Sequence, residues 1–326
     1  MKAFIFSKYG LPESVLELKE VANPNPAEDE VLVKIKAAAV NDYDWSMVRG
    51  KPFLYRLMFG LWKPKSQIPG MELSGIIEAV GSEVSKLKVG DSVYGDISDD
   101  KFGAFAEYIA VKAKSLILMP EKMSFEEAAS IAHASMLACQ GLIEVGKIKS
   151  HQSILVNGAG GGVGAFAAQL ASLYNANITG VDTSKKFDQM RSHGYDRVID
   201  YKSEDFTNLK EKKGQTYDLI LDAKTNRSVF SYLKVLKPNG KYVTVGGTLP
   251  KLISILVFKW LISKFTSKSL HIVSLKVNKV LSFINGLYEE GKIKTIIDGP
   301  HKFRELPKLI QYFGDGKHKG KIVISI

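Results

Sequence analysis

Ser153-Ile154-Leu155-Val156-Asn157-Gly158-Ala159-Gly160-Gly161-Gly162-Val163-Gly164 is the stretch whose reading decides the fold. A short apolar run closes at Asn157 and a glycine-rich turn follows. Residues 165–174 then show helical spacing, and 177–181 read as a second strand. Glycines early in such a turn permit a tight bend and let the backbone approach a pyrophosphate. The last one lets the helix lie close to the strand, with the helix N-terminus facing the phosphates. A glycine run alone in a loop is only a flexible turn. The strand–turn–helix–strand setting makes this one a dinucleotide-binding signature.

Downstream, 187–193 reads as a short helix, and 197–199, Tyr217–Asp222 and 241–246 read as strands. Strands alternating with helices at these lengths predict a parallel sheet with helices on both faces. Upstream, the first 120 residues are β-rich, with short strands expected over 31–36, 75–81, 89–95 and 104–111, as in a barrel or partial barrel. The character changes near Pro120, where Ser124 and Glu127 have capping-box spacing and open an Ala-rich helix through about Gly141. Residues 320–326 read as a strand returning to the first domain. The chain is therefore expected to be α/β. A β-rich domain over 1–120, completed by about 290–326, flanks a doubly wound parallel-sheet domain over 121–289.

The chain has 326 residues, and its 45 Lys+Arg against 34 Asp+Glu leave a formal net charge of +11. Its single cysteine, Cys139, forms no intrachain disulfide and no Cys-rich metal site, so nothing suggests an oxidising compartment. The apolar start is too short for a signal peptide. The run 252–262 spans 11 residues and is interrupted by Lys259, well short of the roughly 20 that cross a bilayer. A cytoplasmic, non-transmembrane protein is expected. Between Asp222 and Glu289 there are 11 Lys or Arg and no acidic residue. The simplest account is a solvated basic face near an anionic cofactor, and no nucleic-acid-binding module accompanies it, so no nucleic-acid partner is expected. For 252–262 a buried helix at a domain or dimer contact is the preferred reading, and peripheral membrane contact is the alternative.

Asp182 ends the second strand, where a carboxylate favours the ribose hydroxyls of NAD(H). Lys185 and Lys186 follow within one turn, where a cation accommodates the 2′-phosphate of NADP(H). Both cofactors stay open at this level.

Several segments together resemble the medium-chain dehydrogenase/reductase superfamily, specifically its zinc-free quinone oxidoreductase (zeta-crystallin-like) branch, over residues 1–326. They are Asn41-Asp42-Tyr43-Asp44-Trp45 with Arg49-Gly50, then Ile68-Pro69-Gly70-Met71-Glu72-Leu73-Ser74-Gly75, then Val89-Gly90-Asp91-Ser92-Val93-Tyr94-Gly95. The glycine turn, the segment from Gly194 to Tyr201, Gly291-Lys292-Ile293 and His318-Lys319-Gly320-Lys321-Ile322-Val323 complete the set in order. The resemblance implies a GroES-like catalytic domain with a Rossmann domain inserted before the C-terminal tail. It also implies hydride transfer to a quinone or an α,β-unsaturated carbonyl, with NADP(H) preferred over NAD(H), and a homodimer.

By the same resemblance Gly158, Gly161, Gly162, Val163 and Gly164 meet the pyrophosphate, and Asp182, Lys185 and Tyr201 meet the adenosine end. Gly246 and Gly247 lie near the nicotinamide, and Asn41 and Lys321 line the cleft. Asn41, Met71 and His133 align with the catalytic zinc ligands of zinc-dependent relatives. Asn and Met suit zinc poorly, so no metal is expected, and His133 is expected as a packed core residue. The candidate substrate-cleft residues are Asn41, Tyr43, Asp44 and Tyr94, the two tyrosines being possible hydroxyl donors. The sequence departs from the family pattern at Asp42 (for proline), Leu137 (for threonine) and the acidic Asp182. A nucleotide-binding protein with little turnover, RNA-associated or held at a membrane surface, is the alternative function. A zinc-free alcohol dehydrogenase-like enzyme is a second.

Overall fold

The glycine turn sits inside a six-stranded, wholly parallel sheet in the computed structural model, which describes residues 1–208 and 215–326. The strand order is Arg197–Asp200, Asn177–Asp182, Ser153–Asn157, Tyr217–Asp222, Leu236–Thr244 and Ser269–Ile272. Sequence order thus runs 3-2-1-4-5-6, the Rossmann arrangement, and reverses direction between Ser153–Asn157 and Tyr217–Asp222. The central strands are apolar runs because both their faces are covered: Leu155, Val181, Ile220 and Tyr242 are buried together with Tyr232 and Leu270. Ser269–Ile272, the sixth strand, carries no strong sequence signal of its own and is recruited by pairing with Lys241–Thr244.

The β-rich unit is organised around one long strand, Glu30–Ala39, in which Val31, Val33 and Ile35 alternate inward. Its sheet runs Ile297–Lys302, Lys321–Ser325, Glu30–Ala39, Glu72–Val80, Ser92–Asp96 and Ile117–Leu118, with Tyr108–Lys112 also paired to Glu30–Ala39. The C-terminal strand does return to this unit, setting Val323 opposite Ala39. In the same layer Glu72 lies opposite both Ala39 and Asp96. That register fixes which side chains meet at the strand ends.

The two compact units comprise Met1–His133 with Val277–Ile326, and Ala134–Lys276. The first division therefore falls inside the helix Phe125–Cys139 rather than at Pro120, and the second at 276/277 rather than near 289/290. Hydrogen bonds explain the shift. The Ser74 hydroxyl donates to the Phe125 carbonyl, the His133 amide donates to Glu72, and Asn278 and Asn285 bond to Asp96 and Tyr94. The expected capping box forms: Glu127 N–H donates to Ser124 Oγ (3.2 Å) and Ser124 N–H to Glu127 Oε2 (3.0 Å). The stretch Phe125–Val145 is long and apolar enough to cross a membrane, but it is largely buried within the protein.

Candidate functional site

At the Rossmann turn, the main chain does the work. Gly158 adopts φ +92°, a conformation that side chains rarely tolerate, and the N–H groups of Gly158 and Ala159 both donate to the Val181 carbonyl, at 3.0 and 3.1 Å. The helix Gly162–Ser172 then begins at Gly161 with no side-chain cap, so the N–H groups of its first turn have no partner within the helix. A Cβ on Gly164 would lie 2.4 Å from the Ala159 carbonyl oxygen, so only glycine allows this close approach. A Cβ on Gly161 would meet nothing nearer than 3.5 Å, which leaves an open cradle in front of the helix N-terminus. The turn fits a pyrophosphate.

Asp182 is buried, and both its oxygens are engaged by the backbone: Oδ2 accepts from Gly160 N–H (3.0 Å) and Oδ1 from Thr183 N–H (2.8 Å). It braces the turn. Lys185 is exposed, and Tyr201, 36% exposed, hangs its amide from the Asp182 carbonyl (3.3 Å). Both thus belong to the rim beyond the second strand. Lys186, read together with Lys185 as a cation for a 2′-phosphate, is instead buried with its stem over Gly160, where an added Cβ would come within 2.4 Å of it.

Behind the turn, at the switch point, Asp222 accepts from Asn157 (2.8 Å), from Tyr242 (2.7 Å) and from the amides of Lys224 and Thr225. Burial and the Asp222 charge push the Tyr242 hydroxyl well above its ordinary pKa, so it stays a donor. Gly247, at φ +148°, packs against Thr225, and Gly246 is tied to Thr244. Leu137, buried in the same unit, contributes only apolar surface.

The β-rich unit holds a separate, side-chain-built centre. Lys321 pairs with the wholly buried Glu72 (Nζ–Oε2 2.7 Å) and donates a very short hydrogen bond to the Asn41 carboxamide oxygen. The Asn41 amide donates to Glu72 Oε2 (3.1 Å) and to the Ala39 carbonyl (3.2 Å). Asn41 is therefore spoken for at both ends, by a lysine cation and a carboxylate. Next to it, Asp44 is fully buried, accepting from the amides of Asn41 (2.8 Å) and Gly70 (3.0 Å). Burial raises its carboxyl to about 7, against the pull of those bonds and of Lys321. Its place in the structure is that of a prop for Asn41.

His133 differs from the packed core residue expected of it. Its Nδ1 lies 2.7 Å from the buried carboxylate of Asp96, and its amide donates to Glu72 Oε1, also at 2.7 Å. Burial works against the Asp96 charge, but the bonds from His133 and Ser98 prevail and hold its carboxyl below the ordinary value. Among the described residues no group of three or more His, Cys, Asp or Glu side chains gathers in a metal-holding cluster.

The two tyrosines separate. The Tyr94 ring is fully buried, and its hydroxyl donates to Asn285 Oδ1 at 2.5 Å, so it serves packing within the unit. Tyr43 is only half-buried and belongs to an aromatic group, with ring centroids 5.8 Å from Tyr55, 6.4 Å from Phe102 and 6.4 Å from His133. Burial first, then the charges of Asp96, Asp42 and Asp99, raise its pKa, so the hydroxyl remains protonated.

Glu72 and Asp96 are the residues that sequence reasoning left unassigned. Glu72 stood in a quoted motif, yet only the strand register shows what it touches.

Comparison with known proteins agrees with this architecture. A protein-family model described as an alcohol dehydrogenase GroES-like domain matches residues 27–121, and one described as a zinc-binding dehydrogenase matches 193–324. The chain is 33% identical to a 2-methylene-furan-3-one reductase of Solanum lycopersicum, over 99% of this chain and 79% of that protein. It is 31% identical to a chloroplastic quinone-oxidoreductase homolog of Spinacia oleracea, over 100% and 98%. Among solved structures, the quinone oxidoreductase from Coxiella burnetii superposes with a TM-score of 0.87 at 25% identity, covering 100% of this chain and 99% of that one.

Proposed function

The chain belongs to the quinone oxidoreductase-like branch of the medium-chain dehydrogenase/reductase superfamily, and from that premise we propose that it is a zinc-independent, NADPH-dependent reductase of quinones or α,β-unsaturated carbonyls. The observation that carries the reading is the Gly158–Gly164 turn, an open main-chain cradle at a helix N-terminus beside the sheet's switch point. The similarity to a furanone reductase and a quinone-oxidoreductase homolog supports the substrate class.

When bound, the reduced nicotinamide nucleotide supplies the hydride. The chain's residues bind and orient. The amides of Gly162, Val163 and Gly164 hold the pyrophosphate, while Lys185 and Tyr201 stand at the rim for the adenosine phosphate. Because Asp182 spends both oxygens on backbone amides, it is not presented as a free carboxylate against a 2′-phosphate. This observation favours NADPH. In the β-rich unit, Tyr43, Tyr55 and Phe102 offer flat apolar surface to a conjugated ring or enone, and the Tyr43 hydroxyl is a protonated donor for the reduced product. Conjugated acceptors spread the incoming charge and need no Lewis acid. Asn41, held by Lys321 and Glu72, is not free to ligate one.

The test is NADPH oxidation by the purified protein with a benzoquinone, a 2-alkenal and, in reverse, a secondary alcohol with NADP. Turnover with the first two that survives dialysis against a chelator is expected. Turnover with the alcohol alone, lost on chelation, would contradict the proposal.

A further inference from the structure

The helix Leu249–Phe265 is strongly apolar, with Lys251, Lys259 and Lys264 as its charged residues, yet only one of its faces is buried. Ile255 and Ile262 are buried against the sheet core with Leu270 and Tyr242. The opposite face presents Leu249, Ile253, Leu256, Val257 and Trp260, spaced by three and four residues, and each is 45–63% exposed. Phe265 extends this surface at the helix end, 74% exposed. One face of the helix is thus buried within its own unit, and the other is exposed in the single chain. A continuous apolar stripe on an otherwise well-packed unit calls for an occupant.

Charge selects among the occupants. Lys259 and Lys264 flank the stripe, both exposed, with the Lys264 ammonium 4.8 Å from the Trp260 ring centroid. From residue 223 to 288 there is no acidic residue. A second copy meeting this face across a two-fold axis would bring Lys259 and Lys264 against their own counterparts, on a helix that carries no carboxylate of its own. A surface that is negative outside and apolar beneath complements both features. Tryptophan at the centre of the stripe suits the headgroup level, and lysines beside it suit lipid phosphates. We propose that the Leu249–Phe265 helix seats the protein peripherally on an anionic lipid surface. The stripe enters the headgroup–acyl boundary, and Lys259 and Lys264 lie against the phosphates. Because its other face is fixed to the sheet, the helix lies along the membrane rather than across it.

The experiment is co-sedimentation of the full chain with vesicles of phosphatidylcholine alone and of phosphatidylcholine with phosphatidylglycerol, at low and high salt. Binding to the anionic vesicles that falls at least tenfold in high salt is expected. Leu256→Glu with Trp260→Glu should abolish it without lowering the melting temperature, since both side chains are exposed. Lys259→Glu with Lys264→Glu, which leaves the apolar stripe intact, should remove the preference for anionic vesicles. Wild-type protein remaining in the supernatant at low salt would overturn the proposal, as would unchanged binding by either variant. So would a dimer, seen by sedimentation velocity, that Leu256→Glu splits while vesicle binding is absent; the face would then belong to a second copy.

Discussion

The two polar centres of this protein are built in opposite ways. At Gly158–Gly164 the working groups are consecutive main-chain amides, and the sequence contributes mainly by leaving side chains out. In the β-rich unit the working groups are side chains, and Asn41 and Lys321, in contact, are 280 residues apart. The first centre is sensitive to an added atom, the second to a lost charge. A glycine cradle can be damaged without exposing anything, whereas Glu72 without Lys321 is a buried charge with no counter-ion.

The sharpest way to break this contrast is Lys321→Met. Leaving Glu72 unpaired is expected to cost about 3–5 kcal/mol in urea unfolding, and adding Glu72→Gln should restore much of it. A single variant as stable as the double would show that the charge pair does not organise this unit.

Asp44 sharpens the same side of the comparison through pH. Its folded pKa of about 7 lies above the unfolded value, so the native state holds a proton that the unfolded state releases. Its contribution is complete below about pH 4 and is lost as pH rises towards 7, at a slope of up to about 1.4 kcal/mol per pH unit. Melting temperatures across that window should decline in the wild type and be flatter in Asp44→Asn.

On the glycine side, Gly164→Val forces a Cβ against the Ala159 backbone and should cost about 1–3 kcal/mol of stability together with nucleotide binding. Gly161→Ala separates these effects. With open space in front of it, stability should hold within about 0.5 kcal/mol, while nucleotide affinity drops about tenfold, near 1.4 kcal/mol. The smallest expected effect distinguishes the tyrosines. Tyr94→Phe loses its bond to Asn285, worth about 1 kcal/mol, with turnover intact, whereas Tyr43→Phe lowers turnover and spares stability.

The contrast also explains what the sequence could disclose. The Rossmann turn was legible because its chemistry lies in local spacing, which survives any rearrangement elsewhere in the chain. Ser124 and Glu127 were legible for the same reason. The Glu72–Lys321–Asn41 centre depends on the register of Glu30–Ala39 against its neighbours, a non-local property that no window of residues encodes. His133 looked like core because its partner, Asp96, comes from a strand 37 residues away. Asp182 was visible as a carboxylate, but its bonds to the Gly160 and Thr183 amides depend on how the turn folds back onto the second strand. The helix Leu249–Phe265 shows how little composition says about which face is covered. Its composition is that of a buried element, and the structure buries one face alone.

The most direct test of the central claim is a fluorescence titration of the wild-type protein, Gly161→Ala and Lys185→Ala with NADPH and with NADH. The account predicts tighter binding of NADPH by the wild type, about tenfold weaker binding of both nucleotides in Gly161→Ala, and loss of only the NADPH preference in Lys185→Ala. Nucleotide binding by Gly161→Ala as tight as the wild type's, or no binding by the wild type, would contradict it.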